Sequence, residues 1–198
     1  SVGRLKEAEI SLRKAIESKP DYAIAHSNLG AILQDLGKLK EAEISTRKAI
    51  EINPDFAIAY CNLGIILRDL GKLEEAEISY RKAIQLNPNF VEAYSNLGTI
   101  LKDLGKLEEA EISYRKAIQL NPNFSDAHYN LAIIMSQERK YNEAEKSYLK
   151  AIENKPDFAN AYFGLGKCLM QKGEEILSLK YFTESTNILR GKKNQEPN

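Results

Sequence analysis

Four asparagines recur at a fixed interval in this chain: Asn28, Asn62, Asn96 and Asn130, each 34 residues after the last. A carboxamide donates and accepts hydrogen bonds at once. A row of them at regular spacing has the chemistry to hold an extended peptide by its backbone without reading its side chains. Little else in the chain carries residue types suited to reaction. His26 and His128 share one place in their respective units, a place otherwise held by an aromatic residue, so they read as core filling rather than as catalysts or metal ligands. Cys61 and Cys168 lack zinc-ligand spacing. They occupy different points of their units, so no disulfide is expected, and a reducing, cytoplasmic location fits. The adjacent Glu74 and Glu75 point in different directions on a helix and form no acid–base pair. No Gly-rich phosphate loop follows a strand, because no strand is expected. The chain therefore reads as a non-enzyme without a cofactor.

Charge and composition narrow the partners. Lys plus Arg equals Asp plus Glu at 28 each, which leaves no electrostatic footprint for nucleic acid or an anionic membrane surface. An apolar content of 43% is sufficient for a core and argues against disorder. No apolar run approaches the length of a membrane span, and no signal peptide is read at the start. A protein or peptide ligand is the partner class left, with no nucleic acid and no membrane.

The elements that must present the asparagines follow from the period. Pro20, Pro54, Pro88, Pro122 and Pro156 are 34 residues apart, and each ends the helix before it. Gly3, Gly37, Gly71, Gly105 and Gly173 mark the middle of each unit, where a left-handed residue closes a helix; one unit has Arg139 there instead. Between these marks lie two runs of helical period, a helix A and a helix B joined by a tight turn. In residues 57–90, Tyr60, Leu63, Ile66, Leu67 and Leu70 form the apolar face of helix A, and Leu73, Ala76, Tyr80, Ala83, Ile84 and Leu86 that of helix B. Small residues at Gly64, Ala76 and Ala83 let the backbones approach. Glu74, Glu75 and Glu77 early in helix B, with Arg81 and Lys82 late, suit the helix dipole and place Glu77 four residues before Arg81.

Tyr60, Leu63, Gly64, Leu67, Ala76, Tyr80, Ala83 and Pro88 occupy repeat positions 4, 7, 8, 11, 20, 24, 27 and 32, and this pattern resembles the tetratricopeptide repeat (TPR). It recurs over 23–56, 57–90, 91–124, 125–158 and 159–192, the last degenerate, with a helix B alone over 1–22 and a polar tail over 193–198. The departures are His26 and His128 for the aromatic at position 4 and Thr46 for that at 24. In the last unit Ser178 and Ser185 replace both alanines, and Arg190 replaces the proline. The resemblance implies an all-α fold: an α-solenoid of antiparallel helix pairs wound as a right-handed superhelix, with five full repeats, an N-terminal half repeat and helix A lining the concave side. One repeat cannot bury enough by itself, so neighbours must stack.

In the family, positions 2, 5, 6, 9, 12 and 13 of helix A tend to face the groove. Position 6 carries the asparagine row, until Gly164 breaks it. This row resembles the asparagine ladder in the TPR arm of O-GlcNAc transferases. Position 13 is Asp35, Asp69 and Asp103, each near a lysine (Lys38, Lys72, Lys106), and these aspartates are expected to be solvated or paired rather than in contact with a ligand. The residues over 57–90 and 91–124 differ at only five of 34 positions, namely 1, 2, 5, 9 and 12, and four of these trace one stripe along helix A. That stripe holds Ile58, Cys61, Ile65 and Arg68 in one repeat and Glu92, Ser95, Thr99 and Lys102 in the next; Tyr129 and Phe163 extend it. Other positions expected to be exposed did not drift between the twin repeats, which favours a partner face over neutral change. The lysine and asparagine clamp by which some TPRs hold a chaperone's C-terminal carboxylate is missing. Ser27, Cys61 and Ser95 stand at its lysine position, and Ala31, Ile65 and Thr99 at its asparagine position.

Three functions remain open at this stage. The first is a non-catalytic interaction scaffold that binds a peptide or protein segment in its groove. The second is the substrate-presenting arm of a larger enzyme such as a glycosyltransferase. The third is a scaffold that associates end to end through Leu5, Ile10 and Leu12 at one end and Leu177, Phe182, Ile188 and Leu189 at the other. The half repeat at the start makes the chain read as a piece of a longer protein.

Overall fold

A computed structural model describes residues 2–193. Residues 194–198, most of the expected polar tail, lie outside the described residues. Among the described residues the chain is entirely helical, with eleven helices and no strand. The A helices are α2 (Ala23–Asp35), α4 (Ala57–Asp69), α6 (Val91–Asp103), α8 (Ser125–Gln137) and α10 (Ala159–Gln171). The B helices are α1 (Val2–Ser18), α3 (Leu39–Ile52), α5 (Leu73–Leu86), α7 (Leu107–Leu120), α9 (Tyr141–Asn154) and α11 (Glu175–Lys193). They fall into two compact units: α1–α6, ending at Lys106, and α7–α11, beginning at Leu107.

The turn from A to B is a Schellman motif. At the end of α2 the Gly37 N–H donates to Gln34 O (2.8 Å) and the Lys38 N–H to Leu33 O (2.8 Å), with Gly37 at φ +74°. Arg139 makes the same turn after α8 at φ +59°, its N–H donating to Ser136 O (3.1 Å) and that of Lys140 to Met135 O (2.8 Å). A side chain in this left-handed region is unfavourable, and the turn forms regardless. From B to A, the proline drives its predecessor into extended backbone, as at Asn53 (φ −131°, ψ 93°), whose Oδ1 then accepts from the Asp55 N–H at 3.2 Å. Where Arg190 stands in place of the proline, α11 simply continues.

Within each unit an A helix packs on the B helices before and after it, as α2 does on α1 and α3, α4 on α3 and α5, α8 on α7 and α9, and α10 on α9 and α11. In the first unit Leu29, Leu33, Ala42 and Ile66 form a buried cluster, with Leu12, Ile16 and Leu70 packed against it. The paired alanines of α3, α5, α7 and α9 are fully buried, which allows the close approach. In the last repeat Ser178 and Ser185 take their places at no hydrogen-bonding cost, because their hydroxyls donate to Gly166 O (2.8 Å) and Ala159 O (2.9 Å). Within each unit successive A helices touch (α2 with α4, α4 with α6, α8 with α10), whereas successive B helices meet only through side chains. The A helices therefore form the inner side of each unit.

The B helices are tied by ion pairs that repeat with the period. Glu43 accepts from Arg47 on its own helix (2.9 Å) and from Lys72 of the next repeat (2.9 Å), and Arg47 reaches on to Glu75 (2.9 Å). Glu77 repeats this with Arg81 (2.9 Å) and Lys106 (2.8 Å), and Glu9 with Arg13 (2.9 Å) and Lys38 (2.9 Å). The expected Glu77–Arg81 pair is thus present. Of the two expectations for the aspartates near Lys38, Lys72 and Lys106, exposure to solvent holds and pairing with those lysines does not. Those lysines extend towards the preceding helix B, where a half-buried glutamate is the stronger attractor.

Of the apolar residues expected at the two ends, Ile10, Leu177 and Leu189 are exposed, while Leu5, Leu12, Phe182 and Ile188 are half-buried.

Candidate functional site: the A-helix face

The asparagine row of the first unit lies on the inner face of α2, α4 and α6. Asn28 is exposed, and Asn62 and Asn96 are half-buried. Asn62 Nδ2 donates to Ser27 Oγ of the preceding repeat at 3.1 Å. Asn96 points its amide nitrogen at Cys61 Sγ, at a long 4.0 Å. This contact sets the amide's orientation and leaves the Oδ1 acceptor uncommitted. Asn28 and, in the second unit, Asn130 have no side-chain hydrogen bond among the described residues.

Position 5 differs from the sequence expectation. Ser27, Cys61 and Ser95 are buried beneath this face rather than displayed on it, with Cys61 only 4% exposed. Ser27 receives Asn62 of the next repeat, and Cys61 backs Asn96. Burial pushes the Cys61 thiol up to about 11, with Glu92 adding to the effect and Asn96 opposing it. Both cysteines are free, so the expectation of no disulfide holds.

The rest of the stripe is accessible. Ile58 is 53% exposed and Glu92 is exposed, while Ile65, Arg68, Thr99 and Lys102 are half-buried. Thr99 Oγ1 donates to Ser95 O (3.2 Å) along its own helix. The aspartate row is bound to position 12. Asp69 receives Gln34 Nε2 of the preceding repeat (2.7 Å) on one oxygen and Arg68 Nη2 (2.9 Å) on the other, and Lys102 stands 3.8 Å from Asp103. Position 12 of the variable stripe is thus linked to Asp69 and Asp103 at position 13.

The histidines are not core residues as expected; both are half-buried. His26 Nε2 donates to Pro20 O (2.9 Å) and His128 Nε2 to Pro122 O (2.8 Å), so the imidazole pins the helix entry six residues back. Among the described residues no group of three or more His, Cys, Asp or Glu side chains could hold a metal.

In the second unit the face changes character. In the second repeat the Tyr80 ring occupies the space a Cβ on Gly64 would need, at 2.7 Å. In the fourth repeat that glycine is Ala132, a departure easily passed over in the sequence, and its methyl fills the equivalent seat. Tyr148 instead lies over Gly164 of the next A helix, with its Cε1 2.5 Å from where a Cβ would stand. The asparagine row breaks there because the ring and any side chain at 164 exclude each other. Tyr129, half-buried, packs on Phe158 (centroids 4.8 Å) and Tyr148 (6.1 Å), and Phe163 is 52% exposed. A pocket of about 370 Å³ opens between these rings. Its signal in the sequence is paired: alanine at position 8 of one repeat and glycine at position 6 of the next.

Family models for the tetratricopeptide repeat match residues 23–56, 57–90 and 91–124, with further repeat models over 1–22, 113–146 and 137–173. No curated protein sequence matches. Among solved structures the chain is similar to that of MamA, at 26% identity and TM-score 0.74, over 84% of this chain and 97% of that one. It is also similar to YrrB, described as a TPR protein with an unusual peptide-binding site (24%, TM-score 0.70, 92% and 97%). The type IV pilus biogenesis factor PilW is a third (23%, TM-score 0.81, 89% and 82%). These last two likenesses speak to the fold alone. On the period, the helix pairs and the matched repeats together, the chain belongs to the tetratricopeptide repeat family, whose members are in general non-catalytic scaffolds for protein or peptide partners.

Proposed function

We propose that the A-helix face of the first unit binds an extended peptide segment, with the asparagines holding its backbone and the position 2, 9 and 12 side chains selecting its sequence. The observation that carries this reading is the state of the asparagines. Asn62 is oriented by Ser27 through its nitrogen, which leaves its carbonyl oxygen free to accept from a peptide N–H. An amide fixed in this way loses little entropy on binding. Ile58, Ile65, Arg68, Glu92, Thr99 and Lys102 flank the row and differ from repeat to repeat, as selecting residues would. Among the described residues no helix is long and apolar enough to cross a membrane. The two buried free thiols fit a reducing, cytoplasmic setting.

The test is selection from a displayed library of linear peptides, followed by affinity measurement of the best binder on Asn62→Ala/Asn96→Ala. A loss of tenfold or more with unchanged helicity supports the reading. Unchanged affinity overturns it.

A further inference from the structure

The geometry points to the pocket over Gly164 as an anchor site for an apolar or aromatic peptide side chain that has a carboxylate beside it. This inference rests on the groove reading and extends it to the second unit. The seat taken by Tyr148 removes an asparagine from the row and lines the space there with rings, Tyr148 itself buried and Tyr129 half-buried. Tyr129, Tyr148 and Phe163 wall the pocket, and Asn160 and Gln137 supply amides at its margin. The Phe163 ring packs at a tilt on Phe182 (centroids 5.3 Å), yet half of its surface stays open, so an incoming side chain meets aromatic surface at the pocket wall.

The charge around the pocket is one-sided. Lys167 carries the only charge among the lining residues, and among the described residues no carboxylate stands within ion-pair distance of it. Its ammonium lies 6.0 Å from the centre of the Phe163 ring, held at the rim by the ring's negative face. The other Lys and Arg side chains on the A helices each stand by a carboxylate: Arg68 by Asp69 and Lys102 by Asp103. An uncompensated cation above an open aromatic wall matches a ligand with an apolar group in the pocket and a negative group next to it. A basic or wholly apolar segment leaves Lys167 unpaired or repelled.

The experiment uses the whole chain and the same displayed peptide library, selected in parallel on the wild type, Lys167→Glu and Phe163→Ala. Both residues are exposed, so the variants retain the fold, which circular dichroism verifies. Expected is enrichment on the wild type of peptides with an aromatic or branched aliphatic residue within two positions of Asp or Glu. Their affinity falls about five- to tenfold on Lys167→Glu and about tenfold on Phe163→Ala, and Lys167→Glu shifts the enriched neighbour from acidic to basic. Binders that weaken on Asn62→Ala/Asn96→Ala but not on either pocket variant overturn the anchor site and leave the groove reading standing. A library with no binder overturns both.

Discussion

The Tyr148 ring lies against the backbone of Gly164, in the next repeat, whereas Tyr80 lies against Gly64 in its own. One methyl, that of Ala132, accounts for the difference, and the consequence is an interruption of the asparagine row.

This arrangement makes the two sites energetically coupled. Gly164→Ala forces the ring out of its seat and is expected to cost about 1–3 kcal/mol, as overpacking does. Ala132→Gly loses up to about 1 kcal/mol of helix propensity but reopens the seat within the fourth repeat. The double variant is expected to recover at least about 1 kcal/mol of the summed penalties. Urea denaturation of the four chains measures this, and strictly additive penalties contradict it.

Arg139 holds a left-handed backbone that the other turns give to glycine. Arg139→Gly removes the steric conflict of the side chain and is expected to raise stability by about 0.5–1 kcal/mol, net of the entropy glycine costs. A higher urea midpoint is the readout, and a lower one contradicts the steric account of this turn.

Alkaline pH is expected to destabilise the fold through buried acids. Burial raises Cys61 from 9.0 to about 11 and Tyr148 from 10.0 to about 12. Above pH 9, and for the tyrosine above pH 10, the unfolded chain releases protons that the folded chain retains. Stability is therefore fully present below those values and declines as pH rises through the folded ones. Cys61→Ala is expected to flatten the decline between pH 9 and 11 by up to about 1.4 kcal/mol per pH unit. Denaturation midpoints across this range test it, and an unchanged slope refutes the assignment to Cys61.

Much of this architecture was legible in the sequence, because local chemistry sets it. The prolines and turn glycines mark most helix boundaries, with Arg139 and Arg190 as exceptions, the apolar period names the packed faces, and Glu77 finds Arg81 on its own helix. Relations across repeats were not legible. Lys38 lies three residues from Asp35 yet bonds Glu9, because stacking brings helix B of one repeat beside the turn of the next. Cys61 looked accessible on a helical wheel and is covered by the following helix. The shift of Tyr148 needed both Ala132 and Gly164 to be read together, and those residues stand on two different helices, with the ring on a third.

The backbone grip of the asparagines is open to direct measurement. The best selected peptide would be compared with versions carrying one N-methylated backbone amide at a time, by fluorescence anisotropy on the wild type and on Asn62→Ala/Asn96→Ala. Expected is a loss of tenfold or more on the wild type at particular N-methylated positions, and no further loss there once the asparagines are removed. Tolerance of N-methylation at every position would contradict a backbone-holding asparagine row and leave recognition to side chains alone.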